Sequence, residues 1–231
     1  MKQICFGIED YAAIISPDMP LTHKCLERFQ GEIDLSFMPP LERRRLGNAA
    51  KCVFGIAKCL ESSIDLSTIP IIFSSYYGEI NRCYALLNTL KQDEPLSPTE
   101  FSLSVLNASA ALLAINKSNH SEITAVSGVN SFEMGVFAAA LKGIESRENV
   151  LLIDYYEELD SSFRARRFYA VGVVLNFTDS PARFKANLCI APNINGVKTS
   201  QYSTLQWLEH IENKSNYQIA DENNIWDWKL V

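Results

Sequence analysis

The residues with the clearest capacity for chemistry lie in a turn between a predicted strand and a predicted helix. The strand is the apolar run at 123–126, and apolar residues recur at helical spacing from 132 to 144. Such a turn displays a nucleophile in many α/β enzymes, because it raises one side chain clear of the sheet, and the helix N-terminus favours an anion. The turn consists of Ser127, Gly128, Val129, Asn130 and Ser131. It contains neither cysteine nor histidine, so the sequence predicts an elbow without its nucleophile.

Other side chains leave open an alternative, an acyltransferase or hydrolase with a different nucleophile. Cys83 follows a predicted strand and turn, and Ser127 or Ser131 could take part in acyl transfer. No histidine or aspartate is placed by a motif to activate them. The histidines have no metal-ligand spacing, so we expect no metal site and no cofactor. They are His23, His120 and His210.

The cysteines indicate a reducing compartment. Six are scattered along the chain, and no C-x-x-C pair occurs. Cys52 and Cys59 lie seven residues apart on a predicted helix, where both can face the core. We therefore expect free thiols and a cytoplasmic protein.

Composition restricts the classes of partner. A chain of 231 residues with 47% hydrophobic residues can bury a sizeable core. The net charge of −6 argues against nucleic acid and against anionic membrane surfaces, since both favour basic proteins. The N-terminus lacks a long apolar region, so no signal peptide is expected, and no apolar run reaches the roughly 20 residues of a membrane span.

Strands alternate with helices along most of the chain, which predicts an α/β fold with crossover connections. The strands are expected at 4–15, 69–74, 123–126, 149–155 and 168–177, with a further one at 185–191. The helices are expected at 41–60, 80–90, 99–117, from 132 onward, and at 202–210. Ser97 or Thr99 can cap the third of these helices, with Pro98 tolerated in its first turn.

Five stretches together resemble the N-terminal half of β-ketoacyl synthases. They are RRRLGNAAKCVFGIA at 43–57, IIFSSYYGEINR at 71–82, LSPTEFSLSVLNASAALLAI at 96–115, ITAVSGVNSFEMGVFAAAL at 123–141 and FYAVGVVLNF at 168–177. More closely, the chain is similar to short ketoacyl-synthase-like N-terminal domain proteins of aryl polyene and related type II polyketide clusters. The pattern as a whole carries the resemblance, because each motif alone is weak.

The resemblance implies a fold and a division of the chain. The fold is α/β, one pseudo-symmetric half of a thiolase-like protein, with a βαβαβαββ order and a five-stranded mixed sheet between helix layers. Residues 1–191 would form the ketosynthase-like domain. Residues 192–231 would be a C-terminal extension that packs on this domain or on a partner.

The departures from the ketosynthase pattern imply that this chain is not an enzyme. Counting back from Phe132, the place of the nucleophilic cysteine falls on Val129, which cannot form a thioester. The two histidines that serve decarboxylation belong to a C-terminal half that this chain does not contain. The resemblance therefore implies a chain length factor, a non-catalytic subunit paired with an active β-ketoacyl synthase that supplies the cysteine and both histidines. The alternative is a structural stabiliser of the ketosynthase without length control.

The resemblance also implies where partners touch the chain. In such pairs, the helix before the elbow strand sends side chains toward the partner's acyl tunnel; here that segment includes Glu100, Phe101, Leu103 and Asn107. Ordinary core positions are the alternative for Phe101 and Leu103, and a structural hydrogen bond is favoured for Asn107. An acidic acyl carrier protein would reach the complex through arginines, although a solvated helix face is the commoner role of such a run. The two arginine groups are Arg43, Arg44 and Arg45, and Arg164, Arg166 and Arg167.

Overall fold

The computed structural model describes residues 2–21, 23–160, 162, 166–193 and 202–231. Its strands are β1 (Lys2–Ile15), β2 (Ile71–Ser75), β3 (Ile123–Ser127), β4 (Asn149–Glu157), β5 (Phe168–Asn176), β6 (Phe184–Pro192), β7 (Tyr217–Ala220) and β8 (Asn224–Leu230). Its helices are α1 (Pro40–Arg43), α2 (Asn48–Leu60), α3 (Ile80–Lys91), α4 (Pro98–Ser102), α5 (Ala108–Asn116), α6 (Ser131–Ser146) and α7 (Ser203–Asn213), with a 3-10 turn at Lys24–Phe29.

All described strands belong to one mixed sheet with the order β3-β2-β4-β5-β1-β6-β8-β7. Strand β2 runs parallel to both β3 and β4, and the other pairs are antiparallel. The predicted α/β class is confirmed, and the five expected strands form the part β3-β2-β4-β5-β1. The prediction of a five-stranded sheet is wrong, because β6, β8 and β7 continue the same hydrogen-bonded ladder beyond β1.

The residues after 191 complete this sheet. The predicted division at 191 falls inside β6, and β8 pairs with β6 over seven residues from Asn224 to Leu230. The indoles of Trp207, Trp226 and Trp228 are buried. Trp228 packs edge-on against Phe6 and stacks near Phe132, with ring centroids about 6 Å apart. The C-terminal segment therefore packs on the domain itself and supplies part of its core.

Apolar side chains fill both sides of the sheet. On one side α6 and α7 pack Phe132, Val136 and Trp207 against the strands. On the other side α2 and α5 bury Phe54, Ile56, Leu60, Ala110 and Leu113. Strand β4 is buried on both faces from Val150 to Glu157, as its continuous apolar run predicts for a central strand. Each large side chain buried in this way contributes about 1.5–3 kcal/mol to folding, so the two helix layers fix the sheet between them.

Two expected helices are interrupted. The helix predicted at 41–60 breaks before Gly47, which is extended, with φ −69° and ψ 173°, and precedes α2. The helix predicted at 99–117 breaks between α4 and α5, where the hydroxyl groups of Ser102 and Ser104 donate hydrogen bonds to nearby carbonyl oxygens. Such local bonds compete with helix continuation. The predicted cap is confirmed, because the Ser97 side chain accepts a hydrogen bond from the Glu100 amide and Pro98 opens α4.

Replacing Trp228 with alanine tests the contribution of the C-terminal strand to the core. Removing this fully buried indole leaves a cavity between β1 and α6, so Trp228→Ala should lower the free energy of unfolding by about 3–5 kcal/mol. Urea unfolding followed by near-UV circular dichroism measures the change. Val231→Ala, at a residue that is 77% exposed, should change it by less than about 0.5 kcal/mol. Equal stability of the two variants would contradict a structural role of β8.

Candidate functional site

The elbow between β3 and α6 has the sharp geometry that the sequence predicts. Gly128 has φ +121°, and its amide donates to the Ser75 carbonyl oxygen at 3.3 Å. Asn130 follows in the left-handed region at φ +54°, ψ 41°, immediately before α6. Asparagine tolerates this conformation better than most residues with a side chain. Asn130 is buried, whereas Val129 is 56% exposed, so the side chain turned inward is that of Asn130.

A carboxylate from the β7–β8 turn holds the Asn130 side chain. The Asn130 Nδ2 atom donates to Asp221 Oδ2 at 2.8 Å, and the Trp226 indole donates to the same oxygen at 3.3 Å. The amides of Asn223 and Asn224 donate to Asp221 Oδ1, each at 2.7 Å. Burial raises the pKa of Asp221, but these hydrogen bonds outweigh it and leave the pKa below its usual range. Asp221 is therefore ionised at neutral pH and binds the elbow to the C-terminal turn.

The cavity in front of the elbow has an acidic wall. It has a volume of about 410 Å³. Its lining consists of Tyr76, Val129, Ala220, Asp221, Glu222, Asn223 and Asn224. Among the described residues, two carboxylates and no cationic side chain belong to this lining, which disfavours an anionic group such as a malonyl carboxylate. The described part of this lining contains no histidine, whereas the Tyr76 hydroxyl can donate a hydrogen bond to a bound group.

A second carboxylate lies beneath the elbow helix. Asp154 of β4 accepts hydrogen bonds from the hydroxyl groups of Ser74 at 2.6 Å, Ser131 at 2.9 Å and Thr204 at 2.8 Å. Burial raises the pKa of Asp154 to about 6, and the three hydroxyl groups oppose the rise. The group is thus mostly ionised at neutral pH and connects β2, α6 and α7 to the centre of the sheet.

A third carboxyl group, that of Glu133 on α6, is fully buried. Its Oε1 accepts a hydrogen bond from the Trp228 indole at 3.4 Å, and its Oε2 has no partner among the described residues. Burial raises the pKa of Glu133 to about 8, with a smaller contribution from the nearby Asp154 charge. Glu133 is therefore mostly protonated at neutral pH, which avoids the cost of a buried unpaired charge.

The alternative nucleophiles differ in their burial and in their hydrogen-bond partners. The Ser131 hydroxyl is bound to Asp154 beneath α6, and Ser127 is exposed at the end of β3. The Cys83 thiol bonds the Ser104 carbonyl oxygen at 3.7 Å, and burial raises its pKa, with smaller contributions from Glu79 and Glu157. His210 is buried against Tyr217, its Nδ1 atom lies 3.3 Å from the Ser215 hydroxyl oxygen, and burial lowers its pKa to about 4. In the part of the chain that the structure describes, none of the three candidate nucleophiles bonds to a histidine.

The predicted tunnel segment lies on and after α4. Phe101 is 59% exposed, Leu103 is half-buried, and Asn107 is exposed at the start of α5. The Asn107 side chain caps no amide of the following helix. Glu100 pairs with Arg82 of α3. Phe101 is too exposed to be an ordinary core residue. The half-buried Leu103 is compatible with a core position and with a position facing the tunnel.

The predicted carrier-protein arginines have different surroundings. Arg44 and Arg45 are exposed, and within the described residues neither guanidinium group forms an ion pair. Both line a polar cleft of about 600 Å³ with Glu79, Arg82 and other side chains of α3. In the second group, Arg166 pairs with Asp160 and Arg167 with Glu158. Arg164 lies outside the described residues.

Metal-binding clusters and membrane-spanning helices are both absent from the described residues. No group of three or more histidine, cysteine, aspartate or glutamate side chains in these ranges could hold a metal ion. Among the helices described, none has the length and apolar character needed to cross a membrane.

Solved structures share this architecture. One chain of the ketosynthase ApeO in complex with its chain length factor ApeC, from Xenorhabdus doucetiae, matches with a TM-score of 0.74 and 22% identity, over 98% of this chain and 99% of that chain. The ishigamide ketosynthase/chain length factor matches with a TM-score of 0.54 and 12% identity, over 80% of this chain and 60% of that chain. A β-ketoacyl synthase from Burkholderia phymatum STM815 matches with a TM-score of 0.52 and 10% identity, over 91% and 69%. At these identities the likeness shows a shared fold.

The mixed sheet, the helix layers and the elbow between β3 and α6 thus define a thiolase-like ketosynthase fold. No curated protein sequence matches the chain. The family model of the β-ketoacyl synthase N-terminal domain, however, matches residues 21–229. The chain belongs to this family, as the resemblance implied.

Sequence reasoning missed the polar groups that surround the elbow. Asp154 interrupts the apolar run NVLLIDY, and a charged residue within a buried strand is a signal that could have identified it. Glu133 is a similar interruption on the apolar side of α6. The contact of Asn130 with Asp221 spans 91 residues, and no local pattern indicates it.

The raised pKa of Glu133 predicts a pH dependence of stability. The folded protein keeps a proton that the unfolded chain releases above about pH 4.5, so the free energy of unfolding should fall as pH rises to about 8. Glu133→Gln removes this titration and should flatten the fall by on the order of 1 kcal/mol or more. Urea titrations at several pH values measure it. Glu145→Gln, at an exposed position of the same helix, should keep the wild-type slope; a slope unchanged in Glu133→Gln would contradict the buried neutral carboxyl.

Proposed function

We propose that this chain is a non-catalytic ketosynthase-like subunit that pairs with an active β-ketoacyl synthase and shapes its acyl tunnel, as a chain length factor does. The observation that carries the proposal is an elbow with the family's geometry but without its chemistry. Val129 and Asn130 occupy the turn, and an acidic cavity lies before it. The partner would supply the nucleophile and the histidines. The work would take place in the cytoplasm, on type II polyketide, aryl polyene or fatty-acid-like chains.

An uncharged edge strand supports assembly with a partner. Strand β3, of sequence ITAVS, ends the sheet, and within the described residues it pairs with β2 alone. Soluble proteins usually protect such edges with charges, prolines or bulges, because free amide and carbonyl groups recruit another strand. Strand β3 has none of these protections along its five residues. A strand of the ketosynthase partner is the natural cover for it.

Apolar residues of α6 extend this surface. Met134, Ala138 and Leu141 recur at helical spacing, and Leu141 is 68% exposed. The neighbouring Lys142 lies 3.4 Å from the carboxylate of Glu122, which precedes β3, so this side of α6 faces the edge strand. The edge of β3 and this side of α6 together form the proposed interface. Exposed apolar side chains that lie together on one surface often mark an interaction site.

Weakened assembly is the first expected outcome. Met134→Lys with Leu141→Lys places two charges on the proposed interface, at positions where the isolated chain is already exposed, so folding should be unaffected. Native mass spectrometry of the coexpressed pair should show binding to the ketosynthase weakened at least about tenfold. Leu41→Lys, at a 71% exposed leucine of α1, is the matched control and should assemble normally. A well-behaved monomer or homodimer that ignores the ketosynthase would contradict the proposal.

Altered product length is the second expected outcome. Phe101→Ala and Leu103→Ala remove bulk from the segment proposed to face the tunnel, so the complex should release longer products while assembly stays intact. Mass spectrometry of the released chains measures the distribution. Phe37→Ala, another exposed phenylalanine outside this segment, should leave it unchanged. Unchanged length in both variants would favour a structural stabiliser without length control.

Carrier-protein contact is the third expected outcome. Arg44 and Arg45 are exposed and unpaired within the described residues, so they are available to an acidic carrier; Arg43 is half-buried beside them. Reversing both charges with Arg44→Glu and Arg45→Glu should weaken carrier binding several-fold at low ionic strength, and less at high salt. Fluorescence anisotropy of a labelled carrier protein measures it, with Lys91→Glu as the control. An unchanged affinity would remove this surface from the proposal.

A further inference from the structure

An ion-pair cluster centred on Arg82 connects the helices around the proposed tunnel segment. The Arg82 Nε atom donates to Glu79 Oε2 at 2.6 Å, and its Nη1 donates to Glu100 Oε2 of α4. The other Glu79 oxygen accepts a hydrogen bond from Ser109 of α5 at 3.2 Å. On the opposite side, a Cβ on Gly47 would overlap the Arg82 guanidinium group, so this group packs directly on the backbone before α2.

Helix α4 has little else to fix its position. It has five residues, and none of them is buried. Phe101 points to solvent, so apolar packing does not hold the helix against the core. In the part of the chain that the structure describes, the pair with Arg82 is the one ion pair that α4 forms with another helix. The position of Phe101 therefore depends on the charge of its neighbour, Glu100.

The guanidinium fork of Arg82 suits this role. Its side chain is largely buried, and it meets two carboxylates from different elements at once, a geometry that a lysine ammonium does not reproduce. Burial lowers the pKa of Arg82, but the Glu79 hydrogen bond and the charges of Glu79 and Glu100 outweigh it. Arg82 thus stays charged at all relevant pH values.

We infer that Arg82 is a positioning residue for chain-length control: through Glu100 it holds α4 in the place from which Phe101 meets the acyl tunnel. This inference rests on the proposed function for its consequence in the complex, but not for the position of α4 in the chain itself. When α4 is held less firmly, Phe101 can move, and the tunnel then restricts the length of the acyl chain less strictly. Products then change in the direction expected for Phe101→Ala.

Hydrogen exchange in the chain and product length in the complex test the two steps separately. Glu100→Gln removes the charge with almost no change of side-chain shape. Because the Glu100 side chain is half-exposed, the fold should be kept. Amide exchange at 98–106 should become about two- to fivefold faster, while exchange in β4 stays the same. Gly47→Ala displaces the Arg82 guanidinium without changing any charge and should act in the same direction. Glu94→Gln, an exposed carboxylate in the loop before α4, is the matched control.

In the ketosynthase complex, Glu100→Gln should shift the product distribution toward that of Phe101→Ala, with the amount of complex unchanged. Unchanged exchange at 98–106 would overturn the positioning role, whatever the partner does. A second result would also overturn the inference: Glu100→Gln gives faster exchange but wild-type products, whereas Phe101→Ala alters the products. That result would leave the proposed function standing. Wild-type products in Phe101→Ala and Leu103→Ala would instead overturn length control, and with it the consequence drawn for Arg82.

Discussion

The ionised Asp154 carboxylate, buried in the middle of the sheet, is the interaction on which the arrangement around the elbow depends. A buried charge is tolerated only when hydrogen bonds replace its water, and here three hydroxyl groups do so without a neighbouring cation. The donors come from β2, from the first turn of α6 and from α7. The same carboxylate therefore sets the distance between the elbow helix and the C-terminal helix. Residues 202–231 are part of the site for this reason, and not only of the sheet.

The strands of the central sheet could be predicted because strands buried on both faces have a recognisable apolar sequence pattern. Strands β2 and β4 are covered on both faces, so they are short apolar runs. The last strand is not predicted, although its sequence, NIWDWKL, alternates apolar and polar residues from Trp226 onward. That alternation indicates a half-buried strand, with Trp226 and Trp228 on the core side. The breaks in the two long helices could not be predicted from periodicity, because serine side chains and a glycine decide them locally.

The candidate site was predictable in place but not in detail. A strand, a glycine and a helix identify the elbow, yet they do not decide which side chain turns inward. The left-handed conformation at Asn130 decides it, and Asp221 of a distant turn holds the side chain there. Counting residues from Phe132 selects Val129, which lies instead at the rim of the cavity. Long-range pairs such as Asn130 with Asp221 or Arg82 with Glu100 depend on the assembled fold, so no local pattern contains them.

The two edges of the sheet differ in a way that bears on function. Strand β7 ends one side with four residues, beside the C-terminal helix α7. Strand β3 ends the other side without a charge, beside apolar residues of α6. At the elbow the character of the surface differs, because the carboxylates of Asp221 and Glu222 line the cavity there. The surface is thus apolar where contact with a partner would stabilise it and acidic where a substrate carboxylate would be repelled. Both features support the proposed assembly with an active subunit.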